Sequence, residues 1–212
     1  MTSASTPWPK LKRDLIAILR GVKPDEVLGI GEELVRAGIE AIEVPLNSPD
    51  PFRSIELLAK RLPSSVLVGA GTVLDAADVA RLAEAGGRLM ISPNVDLAVL
   101  RAAVAAGMVT MPGVFTPTEA LAALSAGASG LKFFPASVLG PEGIKAISAI
   151  LPRGTVIGAV GGVDENGFAA YSKVGVRTFG LGSSLYKVGA SAALVGERAR
   201  VTVAAYDRVF AA

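Results

Sequence analysis

Two ionisable side chains interrupt apolar runs that otherwise have the composition of buried β-strands. Lys132 lies within GLKFFP (130–135), and Glu43 lies within AIEVPL (41–46). Burial of an ammonium group costs several kcal/mol, and it lowers the pKa of a lysine from its usual value of about 10.4. A neutral buried amine is the nucleophile that forms an imine with a carbonyl compound. Lys132 is therefore a candidate Schiff-base lysine; a solvated lysine at a sheet edge is the alternative.

Glu43 is the candidate for proton transfer. The chain contains no histidine, so a carboxylate is the obvious remaining base. We expect Glu43 to face the same interior as Lys132, where each charge offsets part of the desolvation cost of the other. Phe134 follows Lys132 by two residues, so it faces the same side of the strand and keeps water away. A purely structural lysine–glutamate pair is the alternative.

Two glycine-rich segments follow the last two apolar runs. Gly161 and Gly162 end the first of these runs, and Gly182 and Ser183 end the second. Exposed backbone N–H groups and a hydroxyl can surround the oxygens of a phosphate group, which predicts a phosphate site. A bulge or tight turn without a ligand is the alternative for each segment.

Arg20 closes the first apolar run, and Thr72 closes the third, within GAGT (69–72). A guanidinium can hold a carboxylate through two hydrogen bonds, and a neighbouring hydroxyl can add a third. These residues predict a site for the anionic end of a substrate. A surface ion pair is the alternative for Arg20.

The composition excludes several classes of protein. The 212 residues include no cysteine and no histidine, which excludes the usual zinc sites and a Ser-His-Asp triad. The net charge of +2 comes from scattered residues, so we expect no nucleic-acid partner. The first ten residues lack the pattern of a signal peptide, and no apolar stretch reaches the roughly 18 residues of a membrane span. These features predict a cytoplasmic protein without a membrane partner.

Eight apolar runs alternate with segments of helical spacing, which predicts an α/β fold of the (β/α)8 (TIM) barrel class. We expect one such domain over residues 1–212, with a short N-terminal segment or helix at 1–14. An open, doubly wound sheet is the alternative. Helix ends are predicted at Gly38, Gly86, Gly107, Gly127 and Gly175, and helix N-caps at Asp75, Thr116 and Asp164. The strand runs are 15–19, 41–46, 66–71, 88–93, 109–114, 130–135, 155–160 and 177–182.

Over nearly its whole length the chain resembles the class I aldolases that act on 2-keto-3-deoxy-6-phosphogluconate and its galactonate epimer. The matching motifs are LIAILRG (15–21), IEVPLNSP (42–49), GAGTVL (69–74), ISPN (91–94), GVFTPTEA (113–120), LKFFPA (131–136), GAVGGV (158–163) and GLGSSLY (180–186). The resemblance implies a metal-independent enzyme without a cofactor, a homotrimer, and a reaction that yields pyruvate and glyceraldehyde 3-phosphate. It also implies that Lys132 forms the Schiff base, that Glu43 transfers protons, that Arg20, Thr72, Pro93 and Phe134 line the pyruvate end, and that Gly161, Gly162, Gly182 and Ser183 bind the phosphate group.

Two positions favour the galactonate branch of this family. The gluconate branch usually has an arginine at the position of Asn47 and a threonine at the position of Val160. Asn47 removes a possible anion contact, and Val160 cannot donate a hydrogen bond to a sugar hydroxyl. An aldolase for the gluconate epimer, of the Entner-Doudoroff type, is the nearest alternative. A magnesium-dependent aldolase and a barrel that only binds a phosphorylated ligand are the others.

Overall fold

The computed structural model describes residues 5–210, which contain nine parallel strands and eight helices. The strands are β1 Leu15–Ile18, β2 Ala41–Pro45, β3 Leu67–Gly71, β4 Leu89–Ile91, β5 Val109–Met111, β6 Gly113–Val114, β7 Leu131–Phe133, β8 Ile157–Val160 and β9 Thr178–Leu181. The helices are α1 Pro24–Ala37, α2 Pro51–Arg61, α3 Ala76–Glu84, α4 Leu97–Ala105, α5 Pro117–Ser125, α6 Ala136–Ser148, α7 Phe168–Ser172 and α8 Ala192–Phe210.

The sheet closes on itself through one interrupted segment. Its order is β5-β4-β3-β2-β1-β9-β8-β7-β6, and β5 and β6 are the two halves of the apolar run 109–114. Pro112 separates these halves because it has no N–H group for the ladder, while its carbonyl accepts a hydrogen bond of 3.0 Å from the Lys132 N–H. The predicted eight-unit α/β barrel is confirmed, and the open-sheet alternative is wrong.

Apolar side chains fill two regions of the barrel. One region lies between the strands and the surrounding helices, and it contains most of the buried aliphatic residues. The other lies inside the barrel at the N-terminal ends of the strands, where Ile16, Leu67, Leu89 and Met111 pack together. The lower interior is therefore closed by side chains, and the cavity that Arg20 and Phe134 line lies at the end where the strands finish.

Trp8 and Leu11 pack against the lower interior cluster from outside the strands. Both belong to the N-terminal segment, whose residues 5–14 contain no helix. Of the two predictions for 1–14, a segment or a helix, the segment is the form adopted by residues 5–14; residues 1–4 lie outside the described part. No helix within residues 5–210 is long and apolar enough to span a membrane.

The predicted helix ends agree with the backbone. The five predicted glycines have positive φ angles between 71° and 97°. Asp75 caps α3 and Thr116 caps α5, as predicted. The prediction for Asp164 is wrong: its carboxylate accepts a hydrogen bond from the Asn166 N–H in a turn, and Gly167 is the N-cap of the short helix α7.

Candidate active site

The strand register places Lys132 and Glu43 inside the barrel above the apolar cluster. Lys132 on β7 pairs with Gly113 of β6 and Gly158 of β8. Glu43 on β2 follows Ala41 by two residues, and Ala41 belongs to the interior cluster. The side chains of Ala41 and Glu43 therefore both point into the barrel. The two ionisable residues that interrupt apolar runs in the sequence therefore share one interior.

Two glycines of β3 allow close approaches at this level of the barrel. A Cβ atom on Gly71 would lie 1.4 Å from Oε2 of Glu43. A Cβ on Gly69, the register partner of Glu43, would lie 1.9 Å from the Leu89 carbonyl oxygen. The Glu43 carboxylate thus requires glycine at position 71, whereas the backbone of β4 requires glycine at position 69. The sequence alone predicted no role for these glycines, because contacts between strands inside a barrel produce no local sequence pattern.

Burial changes the acid–base properties of both groups. Glu43 is 3% exposed, and burial raises its pKa to about 7, against the opposing effect of the positive charges of Lys132 and Arg20. Lys132 is 6% exposed, and burial lowers its pKa to about 8, although the charge of Glu43 raises it. Arg20 lowers both pKa values by its positive charge. Each group can therefore gain or lose a proton close to neutral pH.

Lys132 and Glu43 are coupled by charge without a direct ion pair. Among residues 5–210, neither side chain takes part in a salt bridge or a side-chain hydrogen bond, and Oε2 of Glu43 is buried without a partner. A buried carboxylate oxygen without a partner is unfavourable in a group that serves only stability. This arrangement argues against the purely structural lysine–glutamate pair.

Phe134 connects Lys132 to a cavity of about 660 Å³ at the C-terminal ends of the strands. The Lys132 Nζ atom lies 4.9 Å from the centroid of the Phe134 ring, as expected for side chains on one side of a strand. Six of the ten predicted site residues line this cavity: Arg20, Phe134, Gly161, Gly162, Gly182 and Ser183. Lys132, Glu43, Thr72 and Pro93 do not line it directly. Pro93 lies beyond the end of β4, and its carbonyl oxygen lies 2.2 Å from where a Cβ on Gly113 would be.

Arg20 is held at the cavity wall by two side chains. Its Nη1 donates to Oδ1 of Asn47 at 2.6 Å, and its Nη2 donates to Oγ1 of Thr72 at 3.3 Å. Thr72 has a φ of +55°, a conformation that costs a residue other than glycine about 1–3 kcal/mol. Arg20 forms no salt bridge with any residue in 5–210. The alternative prediction, that Arg20 forms a surface ion pair, is therefore wrong. The part of Asn47 in holding Arg20 was not predicted.

The two glycine-rich segments form the adjoining wall of the cavity, because they follow β8 and β9, and β9 pairs with β1. Gly161 and Gly162 have φ angles of +90° and +72°, and a Cβ on Gly162 would lie 2.5 Å from the Ser137 hydroxyl oxygen. In the second segment, the Gly182 carbonyl accepts hydrogen bonds from later residues. Within the described chain, the backbone N–H groups of Ser183 and Ser184 have no acceptor. Both residues line the cavity, so their N–H groups are available to an anion bound there.

A family profile for KDPG and KHG aldolases matches residues 10–201. The chain belongs to this aldolase family. It is 64% identical over 204 residues to a Rhizobium meliloti (strain 1021) protein named "Probable 2-dehydro-3-deoxy-6-phosphogalactonate aldolase", a match that covers 96% of each chain. It is 44% identical to the 2-dehydro-3-deoxy-6-phosphogalactonate aldolase of Escherichia coli (strain K12), over 92% of this chain and 95% of the relative.

A solved structure described as native KDPGal superposes on this aldolase with a TM-score of 0.94. The sequences are 42% identical, and the match covers 97% of this chain and all of the other. The resemblance inferred from the motifs is thereby confirmed, and the chain is a carbon–carbon lyase of the aldolase type. No group of three or more acidic residues within 5–210 is arranged to hold a metal ion.

Proposed function

We propose that this aldolase cleaves 2-dehydro-3-deoxy-6-phosphogalactonate to pyruvate and D-glyceraldehyde 3-phosphate through a Schiff base on Lys132. The observation that carries the proposal is a lysine buried in the barrel interior, with its pKa lowered to about 8 beside an equally buried Glu43. The names of the relatives support the substrate. The reaction belongs to galactonate catabolism.

The reaction begins at the amine of Lys132. The neutral amine attacks the C2 keto group, and loss of water from the adduct gives a protonated imine that withdraws electrons. Glu43, directly or through a water molecule, takes the proton of the C4 hydroxyl as the C3–C4 bond breaks. Glyceraldehyde 3-phosphate leaves, and the electron pair of the broken bond remains as an enamine. Protonation at C3 and hydrolysis then release pyruvate and return the free Lys132.

The cavity walls suit the two ends of this substrate. Arg20, with Thr72, would hold the carboxylate next to the keto group, and Pro93 and Phe134 would border the pyruvate portion. The adjoining wall, with Gly161, Gly162, Gly182 and Ser183, would surround the phosphate group. A cavity of about 660 Å³ has room for a six-carbon phosphorylated acid.

Two side chains, one in the cavity wall and one bonded to Arg20, support the galactonate epimer over the gluconate epimer. Val160 lines the cavity with an apolar side chain that offers no hydrogen bond to a sugar hydroxyl. Asn47 is uncharged and accepts a hydrogen bond from Arg20, so the site lacks the additional positive charge that an arginine at this position would carry. A comparison of kcat/KM for the two epimers tests this assignment. A higher value for the gluconate epimer would reverse it.

Borohydride reduction in the presence of pyruvate tests the proposed chemistry. We expect a stable adduct that peptide mass mapping places on Lys132, and no adduct in Lys132→Ala. Lys145→Ala is the matched control, because Lys145 is exposed on α6 and its loss should leave the adduct intact. Glu43→Gln should still form the adduct while turnover falls. A folded protein without an adduct would instead favour a barrel that binds phosphorylated ligands without catalysis.

We also propose a homotrimer that acts in the cytoplasm, as the family resemblance and the sequence features imply. Several large apolar side chains are exposed in the single chain and are available for contacts between subunits: Leu74, Phe115, Leu121, Val138 and Ile150 are among them. Light scattering after size-exclusion chromatography should give a mass of about three chains. A monomeric mass at assay concentration would refute the trimer.

A further inference from the structure

The chain segment after β9 is a tight turn that forms part of the proposed phosphate site. The Gly182 carbonyl accepts hydrogen bonds of 2.9 Å from both the Leu185 and Tyr186 N–H groups. We call residues 182–186 the phosphate turn. Gly182, Ser183 and Ser184 face the cavity, whereas Leu185 and Tyr186 are buried behind them. What holds Leu185 and Tyr186 therefore determines where the free N–H groups of the turn lie.

Tyr186 ties the phosphate turn to the beginning of α1. Its side chain is 3% exposed, and its hydroxyl donates to Oε1 of Glu26 at 2.8 Å, across 160 residues of sequence. The same oxygen accepts from the Lys23 N–H at 3.0 Å, which fixes Glu26 at the first turn of the helix. Burial and the neighbouring carboxylate raise the pKa of Tyr186, so the phenol remains a donor across the neutral range.

The beginning of α1 is continuous with the loop that carries Arg20. Only residues 21–23 separate Arg20 from α1. This loop also touches the segment beyond the phosphate turn, because a Cβ on Gly21 would lie 2.6 Å from Cγ2 of Val188. Arg198 of α8 supports the turn from behind through a hydrogen bond of 3.3 Å to the Leu185 carbonyl. The Tyr186–Glu26 bond thus links the two loops that carry the anion-binding groups.

We propose that Tyr186 is a positioning residue that, through Glu26, sets the distance between the phosphate turn and Arg20. The two ends of the substrate, phosphate and carboxylate, are then received at a fixed separation. A small displacement of the turn weakens the hydrogen bonds to the phosphate group without touching Lys132 or Glu43. The inference rests on the proposed function, because it takes the phosphate group to lie at this turn.

A positioning role makes a prediction that a purely structural role does not. Loss of the Tyr186 hydroxyl should impair the phosphorylated substrate alone, because an unphosphorylated substrate makes no contact with the turn. A general loss of stability would instead reduce the amount of active enzyme for both substrates equally. The comparison of the two substrates separates these cases.

The test compares Tyr186→Phe with the wild type on 2-dehydro-3-deoxy-6-phosphogalactonate and on its unphosphorylated counterpart. We expect the KM for the phosphorylated substrate to rise about fivefold, the size expected for one hydrogen bond that acts indirectly, with kcat/KM for the other substrate unchanged. Tyr206→Phe is the matched control, because Tyr206 is also buried and its hydroxyl accepts a 3.3 Å bond from the Asp14 N–H at the opposite end of the barrel. This control should alter neither KM.

Variants of Glu26 provide the second arm if Tyr186→Phe folds poorly. Glu26→Gln keeps an acceptor oxygen and should retain the wild-type KM, whereas Glu26→Ala should raise the KM for the phosphorylated substrate. An unchanged KM in both Tyr186→Phe and Glu26→Ala would overturn the proposal, and so would equal losses on both substrates. If the wild type itself fails to distinguish the two substrates, the phosphate site is wrong and the inference falls with it.

Discussion

Lys132 and Glu43 alter each other's proton affinity because each is buried within reach of the other's charge. Burial alone favours the neutral form of both groups, which lowers the pKa of the lysine and raises that of the glutamate. Arg20 adds a positive charge that lowers both values. The same arrangement that is unfavourable for stability supplies a neutral amine and a carboxylate base near neutral pH. Their titrations are coupled, so the observed pKa values belong to the pair.

The pH dependence of imine formation tests these charge effects. The apparent second-order rate constant for trapping the imine with pyruvate should rise with pH through about 8, where Lys132 loses its proton. Glu43→Gln removes the negative charge that raises the Lys132 pKa, so the midpoint should move to lower pH. Arg20→Met removes a positive charge that lowers it, so the midpoint should move to higher pH. Shifts in the same direction for both variants would contradict this account.

At the scale of the elements, the active site depends on the register between strands. Lys132 lies between Gly113 and Gly158, and Glu43 lies between Ile18 and Gly69. A slip of one residue in β2 or β7 would turn the ionisable side chain out of the barrel, because neighbouring side chains alternate in direction. Gly71, at the end of β3, leaves the volume that the Glu43 carboxylate occupies.

Gly71 gives the sharpest test of this use of space. In Gly71→Ala the new methyl group would lie 1.4 Å from Oε2 of Glu43, so the carboxylate must move away from its position. We expect kcat to fall by about a hundredfold, within the range for a lost general base, while the imine with pyruvate can still be trapped. Gly29→Ala on α1 is the control, since its methyl group would be at an ordinary 3.5 Å from Ala192. A kcat close to wild type in Gly71→Ala would show that Glu43 needs no fixed position.

Across the whole molecule, the two ends of the barrel serve different purposes. The N-terminal ends of the strands enclose apolar side chains that Trp8 and Leu11 cover. The C-terminal ends carry the cavity and the ionisable residues. This division is common to barrels of this architecture, in which loops can vary at one end while the packing at the other maintains the fold.

Trp8 allows the division to be tested. Its ring packs on the lower cluster and its Nε1 donates to Oδ1 of Asp14 at 3.1 Å. Trp8→Ala should lower the free energy of unfolding by about 2 kcal/mol, less than the cost for a fully buried tryptophan because Trp8 is partly exposed. Urea denaturation measures this change, and Trp8→Phe should lose less. Below the unfolding transition, kcat/KM should remain at the wild-type value; a parallel loss of activity would show that the two ends are coupled.

The sequence by itself determined the architecture and the chemistry of the principal residues. Alternating apolar and helical segments require parallel strands, and glycines with positive φ end the helices, because these signals are local. Lys132 and Glu43 could be identified because an ionisable group within an apolar run is unfavourable to bury, which indicates a function. The absence of histidine left few other groups for proton transfer.

Only the tertiary structure decided which distant residues meet. The space that Gly71 leaves for Glu43, the hydrogen bond from Arg20 to Asn47 and the Tyr186–Glu26 link all join different strands and loops. Asp164 is an example in which the local sequence misleads, because its pattern predicts an N-cap while the chain forms a turn there. Such contacts depend on barrel closure and strand register, which arise from the packing of the whole chain and leave no pattern in any short stretch of sequence.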